Sequence, residues 1–218
     1  MEGSQMKIGC MPFAAPLVRA ILEGTKTQTR RVVKLDIARD NRFPIGKNTV
    51  MNIRDPRAVE YAPYQKGDIL WIREPGKVID VKDYGEDGMD LVVEYIADGK
   101  CAGIEVPPRL SEVWESKYEY RAPNWALNHQ GIPNGVFKEA ARLFIKITNV
   151  RVEWLRDISE EDAESEVVGN GEMFECGRDE FQHLWDSVAK PGTKWTDSPW
   201  VWVYEFERTD KPSGWPGN

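Results

Sequence analysis

From Leu143 to Trp154 the chain alternates in the two-residue period of a β-strand. Leu143, Ile145 and Ile147 fall on one side, and Phe144, Lys146 and Thr148 on the other. A strand this long must be paired along its length, because its backbone groups need partners. A bulge or turn is expected at Asn149, beyond which Val150, Val152 and Trp154 continue the phase. Pro199 to Glu207 reads as a second strand, with Trp200, Trp202, Tyr204 and Phe206 on one face. Shorter strands are expected at Thr29–Val33, Ile69–Ile72, Lys77–Val81, Leu91–Ala97 and Cys101–Val106, separated by Gly/Asp turns.

Three helices complete the pattern. Pro16–Glu23 carries Leu17, Ala20 and Ile21 on one face. Ser159, with Asp162 three residues on, marks an N-cap for a helix running to about Val168, where Gly169-Asn170-Gly171 stops it. Arg178–Ala189 carries Phe181, Leu184, Trp185 and Val188 as its apolar stripe. The expected fold is α+β, a small closed or nearly closed β-barrel flanked by helices. It is read as one domain over residues 6–208, with insertions at about 36–63 and 107–135 and a flexible tail at 209–218.

Composition excludes several classes of function. No apolar run approaches the ~18 residues of a membrane span, and the N-terminus lacks the parts of a signal peptide, so a cytoplasmic protein is expected. Cys10, Cys101 and Cys176 suit free thiols, and with only His129 and His183 no zinc set or Ser-His-Asp triad is expected. Neither a metal nor a cofactor is predicted. The net charge of −7 argues against a chain that coats a nucleic-acid backbone. Thr25 to Arg39, however, holds five cations against Asp36 alone, a basic patch sized for a small anionic or nucleotide-like ligand.

That patch begins with Gly24-Thr-Lys-Thr-Gln-Thr-Arg-Arg31. Gly24 can end the preceding helix in a left-handed turn and present the following side chains together. Lys26, three residues before Thr29, suggests a base beside a hydroxyl nucleophile, with Arg30 and Arg31 available to an anion. The segment also reads as a solvated basic turn leading into an edge strand, the blander of the two readings.

Leu22-Glu23-Gly24-Thr25-Lys26-Thr27-Gln28-Thr29-Arg30-Arg31 resembles the signature of the ASCH-domain family, whose fold is a PUA-like β-barrel. Three later segments carry the same resemblance in order: Pro63–Glu74, Leu155–Ala163, and Leu184-Trp185-Asp186 leading to Ser198–Trp202. Together they look like the larger ASCH-like proteins of phages and prophages. Asn134–Glu139, which leads into the long strand, departs from the Met-Pro-Arg-Trp-like stretch of many such proteins. One small member of the family is an N4-acetylcytidine amidohydrolase that uses a Lys, a Thr three residues later and a distant Glu. The resemblance carries these roles to Lys26, Thr29 and Glu166, with Glu164 as the alternative glutamate, and matches Arg31 to the arginine of the signature. Arg73 and Glu74, ending the Trp71 strand, are candidates for binding substrate or for a structural ion pair. Trp71, Tyr61 and Tyr64 are candidates for stacking on a base, with core packing the alternative for Trp71.

Two functions follow as expectations. One is a hydrolase that removes the acyl group of an N4-acylcytidine-like nucleoside through Lys26, Thr29 and Glu166. The other is a non-catalytic PUA-like module binding RNA or a modified base, with an RNA-cleaving variant between them. The expected partner is a small nucleoside or nucleotide-like ligand, or RNA, and no membrane.

Overall fold

The computed structural model describes residues 6–34, 42–46, 49–83, 89–106, 110, 112–114, 122–167 and 176–216. It is mixed α+β. The strands are β1 (Ile8–Pro12), β2 (Gln28–Val32), β3 (Arg42–Pro44), β4 (Val50–Asn52), β5 (Ile69–Arg73), β6 (Gly76–Asp83), β7 (Met89–Tyr95), β8 (Cys101–Glu105), β9 (Phe144–Trp154) and β10 (Trp200–Thr209). Helices α1 (Ala15–Glu23), α2 (Asn124–Leu127), α3 (Glu160–Glu164) and α4 (Gly177–Val188) join them. The strands lie in open sheets: five strands ordered β1-β5-β9-β10-β2, a β3–β4 hairpin, and a β6-β7-β8 meander. Among the described residues no helix is long and apolar enough to cross a membrane.

The chain divides into two compact units. The first comprises residues 1–7, 20–69 and 146–208, and the second residues 8–19, 70–145 and 209–218. In the first unit, β10 is buried on both faces. Val201 and Val203 join Leu155, Ile158, Ala163, Phe181 and Trp195 in one core, while Trp202, Tyr204 and Phe206 are buried on the other side. The aromatic stripe therefore sits where alternation puts it, and the intervening valines are equally inside. β2 lies antiparallel to β10, with Thr29 opposite Tyr204 and Arg31 opposite Trp202. Gly67, at φ +95°, turns the chain into β5, and the buried Asp68 carboxylate accepts the backbone N–H groups of Lys7 (3.0 Å) and Gln65 (2.8 Å).

The second unit is built on the meander. Val78, Leu91, Val93, Tyr95, Ile104 and Val136 are its core, and the Tyr95 hydroxyl donates to the Ala140 carbonyl at 2.7 Å. The Ile132–Gly135 turn packs directly on the end of β5. Gly135 has φ +86°, and a Cβ there would lie 2.8 Å from the Glu74 carbonyl oxygen and 3.1 Å from Arg73 Cγ. Gly135→Ala is expected to lower stability by about 1–3 kcal/mol, read as a lower urea midpoint at unchanged slope.

Several expectations are corrected in detail. The 36–63 stretch is not a plain loop, since it contains β3, β4 and a 3-10 turn at Pro56–Tyr61; residues 35–41 and 47–48 of that region lie outside the described residues. Within 107–135, α2 forms at Asn124–Leu127, while 107–109, 111 and 115–121 are outside the described residues. Val18 rather than Leu17 is fully buried on α1. The Ser159-capped helix is shorter than its acidic run suggests and closes at Glu164; the Gly169-Asn170-Gly171 stop lies outside the described residues. Val188 is 72% exposed, because the buried side of α4 ends with Trp185. Trp215 departs from the expected flexible tail: it is 8% exposed, its ring packs on Phe144 and Trp71, and its Nε1 donates to the Lys138 carbonyl.

Candidate functional site

Gly24 ends α1 at φ +82°, and the chain reverses so that the N–H groups of Thr25 and Lys26 both reach the Ala20 carbonyl, at 3.0 and 3.2 Å. The strand begins only at Gln28. In a regular strand the odd spacing would set Lys26 and Thr29 on opposite faces. The turn at 24–27 removes that constraint on Lys26.

Along the outer edge of β2 the backbone donors are met by the segment that follows α3. Thr27 N and Gln28 N donate to the Ser165 carbonyl, and Arg30 N donates to Glu166 Oε2 at 3.2 Å. Ser159 caps α3 by accepting from Asp162 N at 3.2 Å, which fixes where that segment begins. Glu166 thereby arrives beside the basic turn from 140 residues away. Lys26 Nζ donates to its backbone carbonyl at 2.8 Å and lies 3.5 Å from its carboxylate. Both side chains are buried, at 1% and 5% exposure. Burial pushes the Lys26 amine down to about 8; Glu166 opposes that shift and the Arg31 charge adds to it.

Thr29 is buried on the face of β2 that it shares with Arg31, facing Tyr204 and Trp202. Tyr204 meets Tyr64 edge-to-face at 5.7 Å. Burial lowers the Arg31 guanidinium, against the pull of Glu166, Tyr64 and Tyr204, and burial likewise raises the Tyr204 hydroxyl. Lys26, Glu166, Arg31 and the two tyrosines thus interact around the same stretch of β2 as Thr29. Among the described residues, the Thr29 hydroxyl makes no hydrogen bond to Lys26 or Glu166.

Arg30 has a different role from the anion contact expected of it. Its side chain is wholly buried, and its guanidinium pairs with Glu153 (2.5 Å), Asp162 (2.9 Å) and Glu166 (2.6 Å). Arg151 joins this network, pairing with Glu153, Asp162 and Glu205. Burial alone would raise the Asp162 carboxyl, but Gln28, Arg151 and Arg30 together hold it below its ordinary range. With its donors committed to carboxylates, Arg30 holds Glu166 in place and is not available to a ligand.

The remaining candidates fall in the second unit. Glu74 is fully buried and is gripped by Arg142 through Nε (2.9 Å) and Nη2 (2.8 Å), so it is the structural ion pair of the two readings given for it. Trp71 packs against Trp215, and Arg73 lines a cleft of that unit. Of the two tyrosines, Tyr61 is 42% exposed, whereas Tyr64 stands beside Tyr204.

Sequence reasoning missed Glu153 and Asp162 as partners of Arg30, and Arg151 as the second cation of their network. Arg151 and Glu153, two apart on β9, do share a face in the alternation, and that charged stripe was the available signal. No family model, curated protein or solved structure matches the chain.

Proposed function

We propose that the chain is an ASCH-type hydrolase with a PUA-like barrel, removing the acyl group from an N4-acylcytidine-like nucleoside. The observation that carries this reading is the buried Lys26–Glu166 pair. It keeps a buried lysine with its amine lowered to about 8, three residues before the buried Thr29. Lysines poised in this way serve as general bases, because an appreciable fraction is neutral near pH 7. In the proposed reaction, the Thr29 hydroxyl attacks the acyl carbon while neutral Lys26 takes its proton. The protonated lysine then returns that proton to the departing cytosine amine, leaving the acyl group on Thr29. Water releases it as a carboxylate by the reverse proton path. Glu166 fixes the amine through two acceptors and favours its protonated form after transfer. Arg31, Tyr64 and Tyr204 bind the polar edge and the face of the base.

The competing reading, in which Arg30 contacts RNA phosphate, is weakened because that guanidinium is buried and already pairs with three carboxylates. The test is to incubate the protein with cytidines bearing N4-acyl groups of increasing size and follow release of cytidine. Turnover by the wild type, with loss of at least two orders of magnitude in Thr29→Val, is expected. Absence of turnover across all acyl sizes, together with salt-sensitive RNA binding, would overturn the proposal.

A further inference from the structure

Arg73 and Trp71 line clefts of their own in the second unit. One cleft, of about 410 Å³, is walled by the aromatic side chains of Trp71, Trp125 and Phe137. Another, of about 720 Å³, runs along Phe13, Ile96 and Lys77. Arg73 lines both, as does the Ile132–Gly135 turn, and that turn presses against the Arg73 stem at Gly135. The Arg73 guanidinium is under-satisfied among the described residues. Its Nε is buried without a hydrogen-bond partner, and no carboxylate among the described residues pairs with it. Arg30 and Arg142, by contrast, are each gripped by two or more carboxylates. The Nε atom itself is closed off, but a guanidinium that lines two clefts with no carboxylate beside it can take one from outside the chain.

Charge and shape narrow what that acceptor can be. Lys77 is neutralised by Glu94 at 3.1 Å, so Arg73 supplies one unopposed positive charge to the two clefts. A monoanion balances it. A phosphomonoester would add about one further negative charge to a chain already at −7. The guanidinium fork matches the two oxygens of a carboxylate, and the indole and phenyl walls favour a flat, apolar body.

We propose that the second unit binds a small aromatic carboxylate, with its carboxylate forked on Arg73 and its ring in the Trp71–Trp125–Phe137 cleft. This site is independent of the Lys26 site and of the reaction proposed there. The test is titration calorimetry of the full chain with indole-3-acetate and 3-phenylpropionate, alongside indole-3-acetamide and adenosine monophosphate. Saturable binding of both carboxylates is expected, at least tenfold weaker for the neutral amide and for the nucleotide. Arg73→Gln should lose at least tenfold in affinity, and Arg73→Lys less, because it keeps the charge without the fork. Trp125→Leu, which leaves Arg73 intact, should weaken the aromatic acids while leaving acetate unaffected, and it carries the test should Arg73→Gln fail to fold. No saturable carboxylate binding, equal affinity for the amide, or tighter binding of the nucleotide would each overturn the proposal.

Discussion

Arg30→Ala is expected to lower the unfolding free energy by about 3–5 kcal/mol, seen as a large drop in the urea midpoint. The wild-type guanidinium sits inside the first unit and neutralises Glu153, Asp162 and Glu166 together. Its removal leaves Glu166, only 5% exposed at the side chain, with Lys26 at 3.5 Å and the backbone N–H of residue 30, and hands Glu153 and Asp162 to Arg151. A buried carboxylate that loses its closest counter-charge costs far more than the lost attraction. Arg30→Lys should recover only part of the loss, because one ammonium cannot fork to three carboxylates. A surface arginine would give within about 0.5 kcal/mol, so the measurement separates the buried tie from the solvated basic turn that the sequence also allowed.

The second large effect has opposite signs on activity and stability. Lys26→Met is expected to lower deacylation by about two to four orders of magnitude, the usual worth of a general base. The same change should leave the protein as stable or more stable at pH 7. A lowering of the amine from 10.5 to about 8 means that the fold disfavours the charged lysine by about 3 kcal/mol, and methionine keeps the apolar stem without the charge. Glu166 retains Arg30 as its partner. The pH dependence follows from the direction of the shift. Between about 8 and 10.5 the unfolded chain binds the proton that the folded chain has released, so wild-type stability should rise through that window. Lys26→Met should lack this rise. Chemical denaturation at a series of pH values reads both effects.

The two longest strands were legible because alternation is a local signal, whereas β1, β3 and β4 were not expected. Leu143 to Trp154 and the aromatic stripe of β10 stand within two residues of where the period places them. Gly24 and Ser159 were equally readable, one through its conformational freedom and the other through its cap. Glu166 was reachable only through resemblance, since nothing near it in sequence says that its segment covers the edge of β2. Arg30 shows what pattern cannot supply. Adjacent arginines look alike in a sequence, yet a strand turns them to opposite faces, sending Arg30 into a carboxylate network and Arg31 towards Tyr64 and Tyr204. Glu74 and Arg142 likewise meet across 68 residues, a distance over which no spacing rule operates.

The pH–rate profile of N4-acetylcytidine deacylation tests the central claim most directly. If neutral Lys26 activates Thr29, kcat/KM should rise about tenfold per pH unit below the lysine's ionisation and level off near pH 8. Lys26→Met should retain only a residual rate without that limb. A profile flat from pH 6 to 9, or the same rising limb in Lys26→Met, would contradict the assignment.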